Sequence, residues 1–155
     1  MPTPLSAAVA IHRRSMAIAL FRGIQLEDIQ QHQLPNDPAK AVDSLSAFIH
    51  RAISLFNIQN AFINGADVQS GRIELFYTQA EGIFRTEGIP IEKTSQSKLF
   101  ESFRMPPLLR MDQLREIVRL IWPSLAAAAK PALDAAALGL HCAVERLFRI
   151  NQPAQ

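Results

Sequence analysis

Two adjacent cations, Arg13 and Arg14 in the run His12-Arg13-Arg14-Ser15, are the first residues of this chain whose types suggest chemistry. Guanidinium groups suit phosphate oxygens in charge and geometry, so a turn carrying two of them could hold a nucleic-acid backbone. A solvated basic turn is the competing reading. A second basic stretch runs from Lys93 to Arg119, six basic residues against three acids, and most such runs are simply solvated faces. Asp134 and His141 lie seven residues apart, which on a helix puts them on roughly the same face. Histidines so placed usually satisfy local hydrogen bonds. Ser, Cys and Lys supply no nucleophilic set, and there is neither a glycine-rich phosphate loop nor a Cys/His cluster. Cys142, on an apolar helix, reads as an inert core thiol.

The bulk numbers narrow the class. A chain of 155 residues fits one domain with a real core. An apolar fraction of 48% with 19% charged residues is that of a globular protein rather than a disordered tail. The net charge of +2 demands no polyanionic partner. The lone Cys142 cannot form an internal disulfide, which favours a reducing, cytoplasmic setting. No stretch reads as a membrane span, since Lys130, Pro131 and Asp134 interrupt the apolar segment Ser124 to Val144. The N-terminus makes a poor signal peptide, because its apolar run Leu5–Ile11 precedes the charges His12-Arg13-Arg14.

These candidates need elements to position them. Residues 7–11 and 16–21 are apolar runs joined by the His12–Ser15 turn, a hairpin. After Gly23, Gln25–Leu34 alternates weakly and is polar enough for an edge strand, completing an antiparallel meander. Asn36-Asp37-Pro38 signals a helix start, and Val42, Leu45, Phe48, Ile49, Ala52, Ile53 and Phe56 form its apolar stripe. Residues 60–64 read as a short buried strand. A second helix over about 70–87 carries Phe76, Tyr77, Ala80, Ile83 and Phe84 and stops at Gly88. The next strand is 89–93, and Ser95 caps a short helix. Met111–Trp122 is a helix closed by Pro123, and a last helix runs from Leu133 to Leu147. A meander followed by alternating helix and strand predicts an α/β mixed sheet with helices on both faces. It would occupy residues 7–149 as one domain, with short tails at 1–6 and 150–155.

That order is the RNase H-like order, and local strings narrow it further. Residues 79–98, Gln-Ala-Glu-Gly-Ile-Phe-Arg-Thr-Glu-Gly-Ile-Pro-Ile-Glu-Lys-Thr-Ser-Gln-Ser-Lys, and the later Asp112-Gln113-Leu114-Arg115-Glu116-Ile117-Val118-Arg119-Leu120-Ile121 resemble RuvC Holliday-junction resolvases. In that family a helix enters an "AGIPV" strand, followed by "P-x-x-V-K" and a "Q-V-x-x-M-V" helix. Leu133-Asp134-Ala135-Ala136-Ala137-Leu138-Gly139 resembles the family's closing D-A-A-D-A-L-A helix. The resemblance spans about residues 8–147, its first third by element order more than by residues.

The resemblance implies a metal-dependent nuclease site that this sequence does not supply. Phosphodiester cleavage in the family uses paired divalent ions, which prefer charged oxygen ligands. The family's first Asp aligns with His12, its strand-end Glu with Asn64, and its final acid pair with Asp134 and Ala137. Residues 5–26 and 52–66 contain no acid to rescue it, and Asp67 is the nearest candidate. The catalytic cluster is therefore expected to be lost, with no cofactor. A remodelled His12/Asp134/His141 site for a softer metal such as zinc, or for Mg2+ in a shifted nuclease site, is a minor alternative. Arg13 and Arg14 fall beside the family's active-site position, Lys98 where it has a DNA-contacting lysine, and Arg110 near another. These four residues are the expected nucleic-acid contacts, with branched DNA or another structured nucleic acid as partner. The helix at 70–87 implies a homodimer. A protein-interaction scaffold on the same fold is the alternative, favoured by the low net charge and by Glu74, Glu81, Glu87 and Glu92 around that helix.

Overall fold

The computed structural model describes residues 5–63, 71–94 and 111–151. Five strands form one mixed sheet: β1 (Leu5–Ile11), β2 (Ser15–Arg22), β3 (Gln25–Gln33), β4 (Ile58–Ile63) and β5 (Ile91–Lys93), in the order β3-β2-β1-β4-β5. The first three are antiparallel neighbours, while β4 pairs parallel with both β1 and β5. Helices α1 (Pro38–Leu55), α2 (Gly71–Thr86), α3 (Met111–Ile121) and α4 (Lys130–Asn151) complete the architecture, with a 3-10 turn at Pro123–Leu125.

Strand alternation explains why both faces are covered. Ala7, Val9 and Ile11 of β1 and Met16, Ile18 and Leu20 of β2 pack with the apolar stripes of α1 and α2. Their neighbours Ala8, Ala10, Ala17, Ala19 and Phe21 point the other way, toward α3 and α4. That second face is built from alanine on both sides, with Ala132, Ala135 and Ala136 of α4 against the sheet alanines, so the helix can sit close. Gly139 is part of the fit. A Cβ there would lie 2.0 Å from Cε2 of Phe21, whose buried ring also meets Trp122 edge-on at 6.0 Å. Gly139→Ala is therefore expected to lower the unfolding free energy by about 1–2 kcal/mol, because overpacking outweighs alanine's better helix propensity. Urea unfolding checks this, and an unchanged or higher midpoint would mean that the Phe21 ring has room to move.

The signals read from the sequence match the local structure at several ends. Asp37 caps α1, its Oδ1 accepting from the Ala39 N–H at 3.2 Å, with Pro38 in the first turn. Gly88, at φ 75°, closes α2: Ile89 N–H donates to Phe84 O at 2.9 Å and Gly88 N–H to Arg85 O at 3.0 Å. This pairing is the Schellman arrangement, sealed by the buried Phe84 and Ile89 side chains.

Several boundaries differ from expectation. β1 begins at Leu5 and α4 reaches Asn151, so secondary structure runs past both ends of 7–149. β5 holds only Ile91–Lys93, because Pro90 lacks an N–H; its carbonyl instead accepts from Ala61 N–H at 2.9 Å. The helix expected after Ser95 lies outside the described residues. Among the described residues, no helix is long and apolar enough to cross a membrane.

Candidate functional site

The site is assembled where β1 ends beside β4, outside the carboxyl ends of the parallel strands, a usual ligand position in such sheets. Ile11 pairs with Met16, and His12 N–H donates to Ser15 O at 2.8 Å, which closes the His12–Ser15 turn. Leu34 N–H donates to Arg14 O at 2.8 Å and pins that turn to the end of β3. From the opposite face Tyr77 of α2 reaches under the strand end. Its hydroxyl donates to Ile11 O at 3.1 Å and accepts from Ile11 N–H at 3.4 Å. Burial pushes this phenol up to about 12, so it stays protonated at neutral pH.

Three side chains from three elements then converge. Asp134, early in α4, is a carboxylate with 6% of its side chain exposed. Arg115 of α3 grips it in bidentate fashion, Nε donating to Oδ1 at 2.7 Å and Nη2 to Oδ2 at 2.9 Å. His12 meets Oδ2 at 2.7 Å. Burial alone would raise the Asp134 pKa, but the Arg115 guanidinium and His12 outweigh it and hold the acid below its usual range. An ionised carboxylate only accepts, so His12 donates through Nε2–H. All three donors are directed at one acid. A cation there would compete with the Arg115 guanidinium for the same carboxylate.

Other candidates stand as follows. Ala137 is buried in the alanine-lined core of α4. His141 does not join His12 and Asp134; it pairs with Glu145, Nε2 to Oε2 at 3.1 Å, one turn further along α4. Among the described residues, no group of three or more His, Cys, Asp or Glu side chains is placed to hold a metal ion. Asn64, Asp67, Lys98 and Arg110 lie outside the described residues. Arg13 and Arg14 are exposed beside His12 and make no ion pair among the described residues. The basic stretch beyond them is largely neutralised where described: Lys93 pairs with Glu81 at 3.0 Å, Arg119 pairs with Glu116, and Arg115 is held by Asp134. Phe76, Tyr77, Ile83 and Phe84 of α2 are all buried in the core of the chain. Cys142 is buried near Thr94, and burial raises its thiol to about 12, the inert thiol expected.

Sequence reasoning missed Arg115. An arginine on an amphipathic helix reads as solvated, and its partner lies 19 residues away on another helix. Only the packing of α3 on α4 brings them together.

No protein-family model matches the sequence, and no curated protein matches it either. Solved structures do match. RuvC of Thermus thermophilus in complex with a Holliday-junction substrate superposes with a TM-score of 0.75, covering 93% of this chain and 96% of that one at 11% identity. A second structure of the same RuvC gives 0.74 at 11% identity with the same coverage. The fold is that of RuvC. The yeast mitochondrial Holliday junction resolvase Ydc2 agrees, with a TM-score of 0.65, 10% identity and coverage of 96% of this chain and 83% of that one. On this RuvC-type frame the His12 turn at the carboxyl end of β1 and the Asp134 helix are joined by the contacts described above.

Proposed function

We propose that this chain binds branched or structured nucleic acid without cleaving it. The observation that carries the reading is the His12–Asp134–Arg115 cluster. The acid that the RuvC resemblance assigns to metal binding is occupied by the Arg115 guanidinium and the His12 imidazole, with exposed Arg13 and Arg14 beside it. A turn whose two arginines make no ion pair among the described residues can sit against phosphates, while a carboxylate locked by Arg115 is a poor ligand for Mg2+. The likeness to proteins that act at Holliday junctions supports a branched substrate. Lys98 and Arg110 join this reading from the sequence alone.

Phosphate contacts are read by salt. Arg13→Gln/Arg14→Gln is expected to weaken junction binding across sequences and to lower the slope of log affinity against log salt by about 2, one unit for each lost contact. A variant with the same affinity and slope would show that this turn does not touch the backbone.

A second reading, a protein-interaction module, has its own observation in Leu120, 81% exposed, and Ile121, 43% exposed, at the end of α3. It loses support around α2, where Glu81 is buried and spent on Arg85 and Lys93. A homodimer through α2 would use the outer side of that helix, with Leu75 as its exposed large apolar residue. The lone buried thiol Cys142 supports a reducing, cytoplasmic setting.

A further inference from the structure

A pocket between the edge strand β3 and α1, separate from the His12–Asp134 cluster, has no part in the reading above. Its cavity of about 250 Å³ falls just under the roughly 300–1,000 Å³ typical of drug-sized ligand sites, so it suits a small ligand rather than a large cofactor. Its lining is divided in character. Gln30, His32 and Ser44 give hydrogen-bonding groups, Phe48 and Phe56 give aromatic surface, and Arg51 gives a cation. The lining contains no acid, and Arg51 makes no ion pair among the described residues.

The polar wall is organised. His32 Nε2 and Ser44 Oγ lie 2.6 Å apart, and the His32 ring packs against Phe48 with centroids 4.8 Å apart. Burial lowers the His32 pKa, which keeps the imidazole neutral at pH 7, with one donor and one acceptor nitrogen. Ser44 uses Nε2, and no hydrogen bond among the described residues uses Nδ1. A held ring nitrogen and a glutamine amide beside aromatic surface suit a flat heterocycle that both donates and accepts. An unpaired guanidinium suits a phosphate attached to it.

We infer that this pocket takes a single nucleotide, its base against Phe48 and Phe56 and its phosphate on Arg51. The ligand could be a free mononucleotide or the unpaired end of a nucleic-acid strand, since both present the same base and phosphate. The inference goes beyond junction binding and does not depend on it, because no residue of the pocket belongs to the His12 turn.

NMR titration of the full chain with AMP, adenosine, inorganic phosphate and benzoate tests it, alongside a blunt duplex and the same duplex with a single-stranded overhang. AMP or the overhang duplex is expected to shift the resonances of Gln30, His32, Ser44 and Arg51. Shifts with AMP identify the free nucleotide as a ligand, and shifts only with the overhang identify the strand end. Adenosine and phosphate should each bind at least about tenfold more weakly than AMP, and Arg51→Gln should cost AMP or the overhang a similar factor at unchanged melting temperature. The inference is overturned by shifts confined to the His12–Ser15 turn, by benzoate or phosphate binding as well as AMP, or by no response to AMP and the overhang at millimolar concentration. The junction assay reads Arg13 and Arg14, so failure here leaves that reading untouched and failure there leaves this one.

Discussion

Arg115→Met is expected to lower the unfolding free energy at pH 7 by about 3–5 kcal/mol, while the double variant Arg115→Met/Asp134→Leu regains most of that loss. The asymmetry follows from burial. Asp134 and Arg115 have only 6% and 12% of their side chains exposed, so removing one leaves the other charged and poorly solvated. Removing both replaces the buried ion pair with leucine and methionine, apolar side chains that leave no charge unpaired between the two. The sign with pH is also fixed. Asp134 has a depressed pKa in the folded chain, so its contribution is fully present above the ordinary carboxylate value near 4 and is lost as pH falls through the lower folded value. Denaturant unfolding of the wild type, the single variant and the double variant at pH 7 and pH 3 measures all of this. A loss below about 1 kcal/mol for Arg115→Met would show that the pair is no better than a surface contact.

Alkaline pH is expected to have an effect of similar size, acting on the buried Cys142 and Tyr77. Their folded pKa values, both about 12, lie above ordinary values of 9.0 and 10.0. Each group thus contributes stability that is fully present below its unfolded pKa and is lost as pH rises toward the folded value. At about 1.4 kcal/mol per unit, the loss between pH 9 and 12 is roughly 4 kcal/mol for the thiol and roughly 3 kcal/mol for the phenol. Together these approach the whole stability of a small domain. Cys142→Ala should flatten the decline between pH 9 and 10, and Tyr77→Phe should flatten it above pH 10. Tyr77→Phe will also be less stable at neutral pH, because it loses the bonds to Ile11. Urea midpoints at pH 8, 9.5 and 11 are the readout. Identical pH profiles for the wild type and both variants would mean that neither group is as well shielded as the packing indicates.

The sequence was most legible where local chemistry decides the structure. Asp37-Pro38 started α1, Gly88 stopped α2, and the polar run in β3 marked an edge strand. The mixed sheet followed from element order, because a meander joined to alternating helices and strands has few packed solutions. Legibility failed where one residue's meaning depends on a distant one. Phe76, Ile83 and Phe84 are all taken up by the core, an outcome their helical spacing allows but only the packing shows. Asp134 was noticed through a family string, yet nothing near it in the chain named Arg115 as its partner. The meaning of His32 comes from Ser44 and Phe48 of α1, which only the folded chain brings beside it.

Binding of branched nucleic acid without cleavage is tested most directly by a salt-titrated gel shift on a four-way junction and a matched linear duplex. Parallel lanes carry magnesium or manganese. The result expected is tighter binding to the junction, a steep loss of affinity with salt, and DNA left intact in every lane. Cut junction in the metal lanes, or no binding to either substrate at low salt, would contradict the account.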